Sequence, residues 1–272
     1  MHAESLRDEL LAQAESIRVL PTLTAVVTEV LRVMNDKNSS FNHLFNVVRY
    51  DQAISSKIIS IANSAYYSRG WSITNLERAM VAIGFEEIKN MITCLVFLKE
   101  ILSGWKLSQA DIRTLWSHSL SVACAARILA GRTVSADPEK AFTAAILHDI
   151  GKVIFLTCGE PYRKVVREAA QTGRDICALE QEAFGTDHQE IGYVMAVKWR
   201  FPEEFSEVIR SHHGKPEAKG SVCRIVNVAD RFVENPDADL GAEGMVLQGG
   251  KDRIALEIKR IGELLGVSNA GR

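Results

Sequence analysis

The stretch Asp137-Pro-Glu-Lys-Ala-Phe-Thr-Ala-Ala-Ile-Leu-His-Asp-Ile-Gly-Lys152 decides how this chain folds. Asp137 is a helix N-cap and Pro138 suits the first helical position, where its missing N–H removes no bond. The predicted helix then delivers Phe142, Ala145 and Ile146, followed by His148 and Asp149, before Gly151 and Lys152. A charge such as Asp149 among so many apolar residues demands a partner.

The same 3.6-residue period runs through most of the chain. Leu23, Val26, Val27, Val30, Leu31 and Met34 follow it, and Phe41, Leu44, Phe45 and Val48 repeat it. Asp51 caps a predicted helix through Ile54, Ile58, Ile61 and Ala65 to a stop near Ser68. Leu76, Ala79, Met80 and Ile83 lead to Gly84, and Ile88, Ile92, Leu95 and Leu98 to Gly104. No segment alternates with period two over a strand's length, and no Asn-Gly or Asp-Gly turn occurs, so the fold class is all-α. Ser108, with Asp111 three residues on, caps the next helix after a joint at 103–108. The expected organisation is an N-terminal helical subdomain at 1–107 packed on a helical domain at 108–235, then a loop over 234–250 and a last helix from Lys251 to Leu265.

The 272 residues are 47% hydrophobic and 24% charged, with 32 Lys plus Arg against 34 Asp plus Glu, a net charge of −2. That composition excludes disorder and disfavours a nucleic-acid binder relying on bulk positive charge. Cys94, Cys124, Cys158, Cys177 and Cys223 form no CxxC pair and read as apolar fillers in a reducing compartment. No membrane-length apolar run is present, so the expected location is the cytoplasm, away from membranes.

Five of the seven histidines fall beyond the joint, each on a face the helical period turns inward. His118 precedes Val122 and Ala125; His188 follows the cap Asp187; His212 shares a face with Phe205, Val208 and Ile209, with His213 about 100° further round. Asp230 lies on the side of Ile225 and Val226. Singly, each reads as a hydrogen-bonded core residue, His148-Asp149 as a buried ion pair and His212-His213 as a helix C-cap. Jointly, His118, His148, Asp149, His188, His212, His213 and Asp230 are costly to satisfy by mutual hydrogen bonds, whereas one or two divalent cations satisfy them all. Imidazole-rich sites suit iron, manganese or zinc better than magnesium.

The order His118, His148-Asp149, Asp230 resembles the H…HD…D signature of the HD superfamily of metal-dependent phosphohydrolases. The run His148 to Lys152, with His188 and His212-His213, is similar to its HD-GYP and HDOD branches. Leu20-Pro-Thr-Leu23, the Ile-Ala-Asn-Ser-Ala-Tyr-Tyr ending at Tyr67 and the segment Ala79 to Gly84 resemble HDOD, over about residues 15–232. The resemblance implies an all-helical bacterial signal-transduction output module with an HD-type, dinuclear metal site, whose partners are other signalling proteins or a phosphorylated small molecule. The alternative it implies is a metal-dependent phosphohydrolase or phosphodiesterase acting on a phosphorylated or nucleotide substrate. There Asp149 bridges two cations and Lys152 neutralises a phosphate oxygen or the leaving group; otherwise Lys152 merely reaches solvent. His213 is followed by Gly-Lys-Pro rather than Gly-Tyr-Pro, and Thr114 stands where some HD-GYP proteins carry a glutamate. Both departures disfavour cyclic di-GMP hydrolysis and a trinuclear centre.

Overall fold

Helices, several of them capped by a side chain, make up the computed structural model of the chain. It describes residues 2–16, 29–33, 36, 40–68, 72–97, 102, 105, 107–133, 136–214 and 221–265. In chain order the helices are α1 (His2–Ser16), α2 (Phe41–Val48), α3 (Gln52–Ala62), α4 (Leu76–Ile83), α5 (Phe85–Val96), α6 (Gln109–Ala130), α7 (Pro138–Leu147), α8 (Lys152–Thr157), α9 (Glu160–Thr172), α10 (Ile176–Phe184), α11 (His188–Lys198), α12 (Glu203–Ser211), α13 (Val222–Glu234), α14 (Gly241–Gly249) and α15 (Lys251–Leu265). A short helical stretch also covers 29–33, and no strand occurs among the described residues. The fold is all-α.

The caps read from sequence form as expected. Ser108 Oγ accepts from the Asp111 amide at 3.1 Å, Asp137 Oδ1 from Glu139 N at 2.9 Å, and Asp187 Oδ1 from Glu190 N at 2.9 Å. Each such bond satisfies a backbone donor that a helix start leaves bare, worth about 1 kcal/mol.

Three expectations change. The helix capped by Asp51 stops at Ala62, short of Ser68, because the Asn63 carboxamide both accepts from Ile73 N at 2.8 Å and donates to Ile73 O at 2.7 Å, turning the chain. Second, the 234–250 loop contains α14, which forms because Leu247 is fully buried and the helix packs on α6 and α13. Third, α7 ends at Leu147, so His148 and Asp149 sit in the tight turn leading to α8 rather than inside the helix. The apolar period over 23–28 and the Leu20–Leu23 motif lie outside the described residues, as do 103, 104 and 106 of the joint.

Helix α6 is the axis of the site. It packs on α7, α13, α14 and α15, while α12 and α13 close over α7 and α11 over α8 and α12. On the far side α15 reaches back to α3, and Arg127 of α6 pairs with Glu257 while Arg260 meets Glu87 at 2.7 Å. A groove of about 1120 Å³ runs there between α3, α6 and α15. Exposed Tyr66 lines it, whereas Tyr67 packs against the core; Trp71 is outside the described residues. No helix among the described residues is long and apolar enough to cross a membrane. All five cysteines are free thiols, Cys94, Cys124 and Cys177 buried.

Candidate metal centre

All seven side chains singled out in the sequence meet in one place. His118 comes from α6, His148 and Asp149 from the turn after α7, His188 from the first turn of α11, His212 and His213 from the end of α12, and Asp230 from α13. His148, Asp149, His188 and His212 are fully enclosed, and Asp230 nearly so. His118, with 21% of its side chain exposed, and Lys152, with 18%, stand where the site reaches solvent.

The groups form two clusters that share one carboxylate. His118, His148 and Asp230 make the first; Asp149, His188, His212 and His213 make the second. Asp149 Oδ2 lies 3.3 Å from both His118 Nε2 and His148 Nε2. Its other oxygen, Oδ1, lies 3.4 Å from His188 Nε2 and 3.5 Å from His212 Nε2. Asp230 Oδ1 completes the first cluster, 3.1 Å from His118 Nε2 and 3.6 Å from His148 Nε2. His213 turns Nδ1 toward Asp230 Oδ2 at 3.8 Å.

The outer ring nitrogens fix the imidazoles. His148 Nδ1 is 2.6 Å from the Ala145 carbonyl, His212 Nδ1 3.0 Å from the Ile209 carbonyl and His188 Nδ1 2.7 Å from Glu180 Oε2. All three partners accept, so all three Nδ1 donate and each ring turns its Nε2 inward. His188 Nε2 and His212 Nε2 thus face each other at 3.3 Å. Asp149 Oδ1, Asp230 Oδ1 and His213 Nε2 are buried without a hydrogen-bond partner.

Charge follows this geometry. Burial opposes ionisation of Asp149, yet His148 and Lys152 outweigh it and hold the carboxyl well below the usual range. Burial likewise pulls His148 down, but Asp149 and Asp230 lift it to about 10. His188 goes the other way: burial and Lys152 push it well below its ordinary value. Proton binding is thus favoured at His148 in the first cluster and disfavoured at His188 in the second. Lys152 is not simply extended into solvent from its helix end, because its Nζ sits 2.6 Å from Asp149 Oδ2.

The HDOD domain family model matches residues 20–215. The chain belongs to the HDOD family. An HDOD domain protein of unknown function from Geobacter sulfurreducens superposes with a TM-score of 0.75 at 22% identity, covering 96% of this chain and 98% of that one. A candidate phosphohydrolase from Shewanella amazonensis gives 0.68 at 22% identity over 94% and 97%. At such identities the likeness concerns the fold. An uncharacterized protein of Treponema pallidum is 24% identical over 232 residues, 81% of this chain and 44% of the relative. Ribonuclease Y of Listeria monocytogenes is 32% identical over 133 residues, 49% of this chain and 20% of that enzyme. The HDOD chain therefore spans less than half the length of these curated relatives.

Two parts of this HDOD site escape a reading by sequence. Glu180 is fully buried and accepts both the His188 ring and the His188 amide, the latter at 2.9 Å, plus the Tyr162 hydroxyl at 2.9 Å. Burial raises its carboxyl to about 7. The signal was present: Glu180 shares a buried face with Leu179 and Phe184, the same anomaly that marked Asp149. Gly151 and Gly192 are the other part. A Cβ on Gly151 would lie 1.9 Å from the His188 carbonyl and 2.7 Å from Gly192 N, so the turn and α11 touch backbone to backbone.

Proposed function

We propose that this HDOD chain is a bacterial signalling output module whose core holds two divalent cations sharing Asp149. One lies among His118, His148 and Asp230, the other among His188, His212 and His213. The observation that carries this reading is the pair His188 Nε2 and His212 Nε2, both turned inward 3.3 Å apart, beside the unpartnered Asp149 Oδ1. Buried acceptors left facing one another cost free energy that a cation between them turns into binding. Five imidazoles with two carboxylates favour iron, manganese or zinc.

When bound, the cations supply Lewis acidity to an oxygen ligand. The chain's own groups do the rest: Ala145, Ile209 and Glu180 hold the rings in place, and Asp149 turns one oxygen to each cluster. Other signalling proteins are the expected partners of such a module.

A second reading, metal-dependent hydrolysis of a phosphorylated or nucleotide substrate, is favoured by Lys152, a positive charge beside Asp149 where the site reaches solvent. An anionic phosphate entering there meets an ammonium already in place. The partial match to ribonuclease Y supports the same class of substrate.

Protein purified without chelators and reconstituted with manganese or zinc is expected to hold about two equivalents per chain. Less than about half an equivalent contradicts both readings. Turnover of bis(p-nitrophenyl) phosphate that Lys152→Ala abolishes at full metal content selects the hydrolase; absence of turnover in the loaded wild type selects the module.

A further inference from the structure

Helix α1 lies outside the residues the family model matches, yet it docks on the parts that support the second cluster. It packs against α8, α10 and α11, which begin with Lys152, carry Glu180 and begin with His188, respectively. Its seat is apolar, with Leu10 and Ala14 buried and Leu6 and Leu11 partly so.

Two polar contacts set its register. Arg7 Nη2 meets Glu190 Oε1 at 2.5 Å, and Gln13 Nε2 donates to Thr157 Oγ1 at 3.2 Å. Glu190 follows His188 by two residues, and its other oxygen accepts from Thr186 Oγ1 at 2.6 Å. So Glu190 does not reach back to its own cap as a capping box would; it is spent on α1 and on the turn before His188. The Arg7–Glu190 pair is about 40% exposed at each end and contributes little stability itself. Docking strength comes from Leu10 and Ala14, and the ion pair selects where α1 sits.

We infer that α1 is a clamp on the metal site, holding α10 against α11 so that Glu180 keeps His188 turned inward. The inference rests on the metal-site reading above. Arg7 and Leu10 are positioning residues: neither touches the clusters, and both act through Glu190, Glu180 and His188. Because coupling is reciprocal, whatever factor α1 undocking costs in metal affinity, metal must return in α1 docking. Any input that pulls on α1 would then loosen the second cluster, giving a route from a signal to metal occupancy.

The test measures metal affinity and α1 docking separately, in full-length protein. Manganese or zinc titration gives the first, and amide hydrogen exchange of α1, with and without metal, gives the second. Arg7→Glu, which sets two like charges together, and Leu10→Ala, which hollows the seat, are expected to weaken the metal about tenfold at the second cluster. Exchange in wild-type α1 is expected to slow about tenfold on loading, matching that loss. Glu9→Ala, on the exposed side of α1, should change neither. Adding Glu190→Arg to Arg7→Glu is expected to restore most of the affinity. Wild-type binding that both α1 variants keep, while their α1 amides lose protection, overturns the clamp alone. A wild type that binds no metal overturns the clamp together with the reading beneath it.

Discussion

Glu180 shows what a single side chain does at this site. A neutral imidazole can present either nitrogen, and the acceptor on Nδ1 decides which. With Glu180 in place, His188 offers Nε2 to Asp149 Oδ1 and His212. Glu180→Ala removes that acceptor and leaves the Tyr162 hydroxyl and the His188 amide without their partner in a dry interior. The expected outcome is metal affinity at the second cluster weakened by about 10- to 100-fold. Affinity at the first cluster should stay within a few-fold, since its His148 ring is fixed by Ala145 and not by Glu180. Titration resolved into two binding steps checks this, and equal weakening of both steps contradicts it.

At the scale of elements, the turn between α7 and α8 places the shared carboxylate. Its backbone runs so close to α11 that no side chain fits at Gly151, although its φ of −63° suits any residue. Space, not conformational freedom, selects glycine there. Gly151→Ala is expected to destabilise the fold by about 3 kcal/mol, since neither the His188 carbonyl nor the Gly192 amide can move without moving a helix. Urea unfolding measures this; a change under about 0.5 kcal/mol means the two segments separate easily.

Elements were legible where their cause was local. The caps at Ser108, Asp137 and Asp187 act within three residues, and the five histidines beyond the joint stand out by lying on apolar faces. Asn63, α14 and the Gly151–Gly192 contact were not legible, because each depends on a neighbour across space: Ile73, α6 and α11. His148 and Asp149 were expected on a helix, which instead ends at Leu147.

Across the whole molecule, seven groups from five separate segments converge around one buried carboxylate. Imidazoles have one inward nitrogen each, whereas Asp149 has two oxygens, and these face different clusters. The central claim is that both cation positions depend on Asp149. Metal titration of Asp149→Ala against His188→Ala and His212→Ala tests it, with circular dichroism as the control for folding. Asp149 lies in the turn between α7 and α8, so its replacement leaves the residues of both helices unchanged. Asp149→Ala is expected to lose metal at both positions, while each histidine variant empties mainly the second and keeps the first partly filled. Asp149→Ala that retains the wild-type stoichiometry would contradict the shared carboxylate and leave two independent or merely hydrogen-bonded clusters.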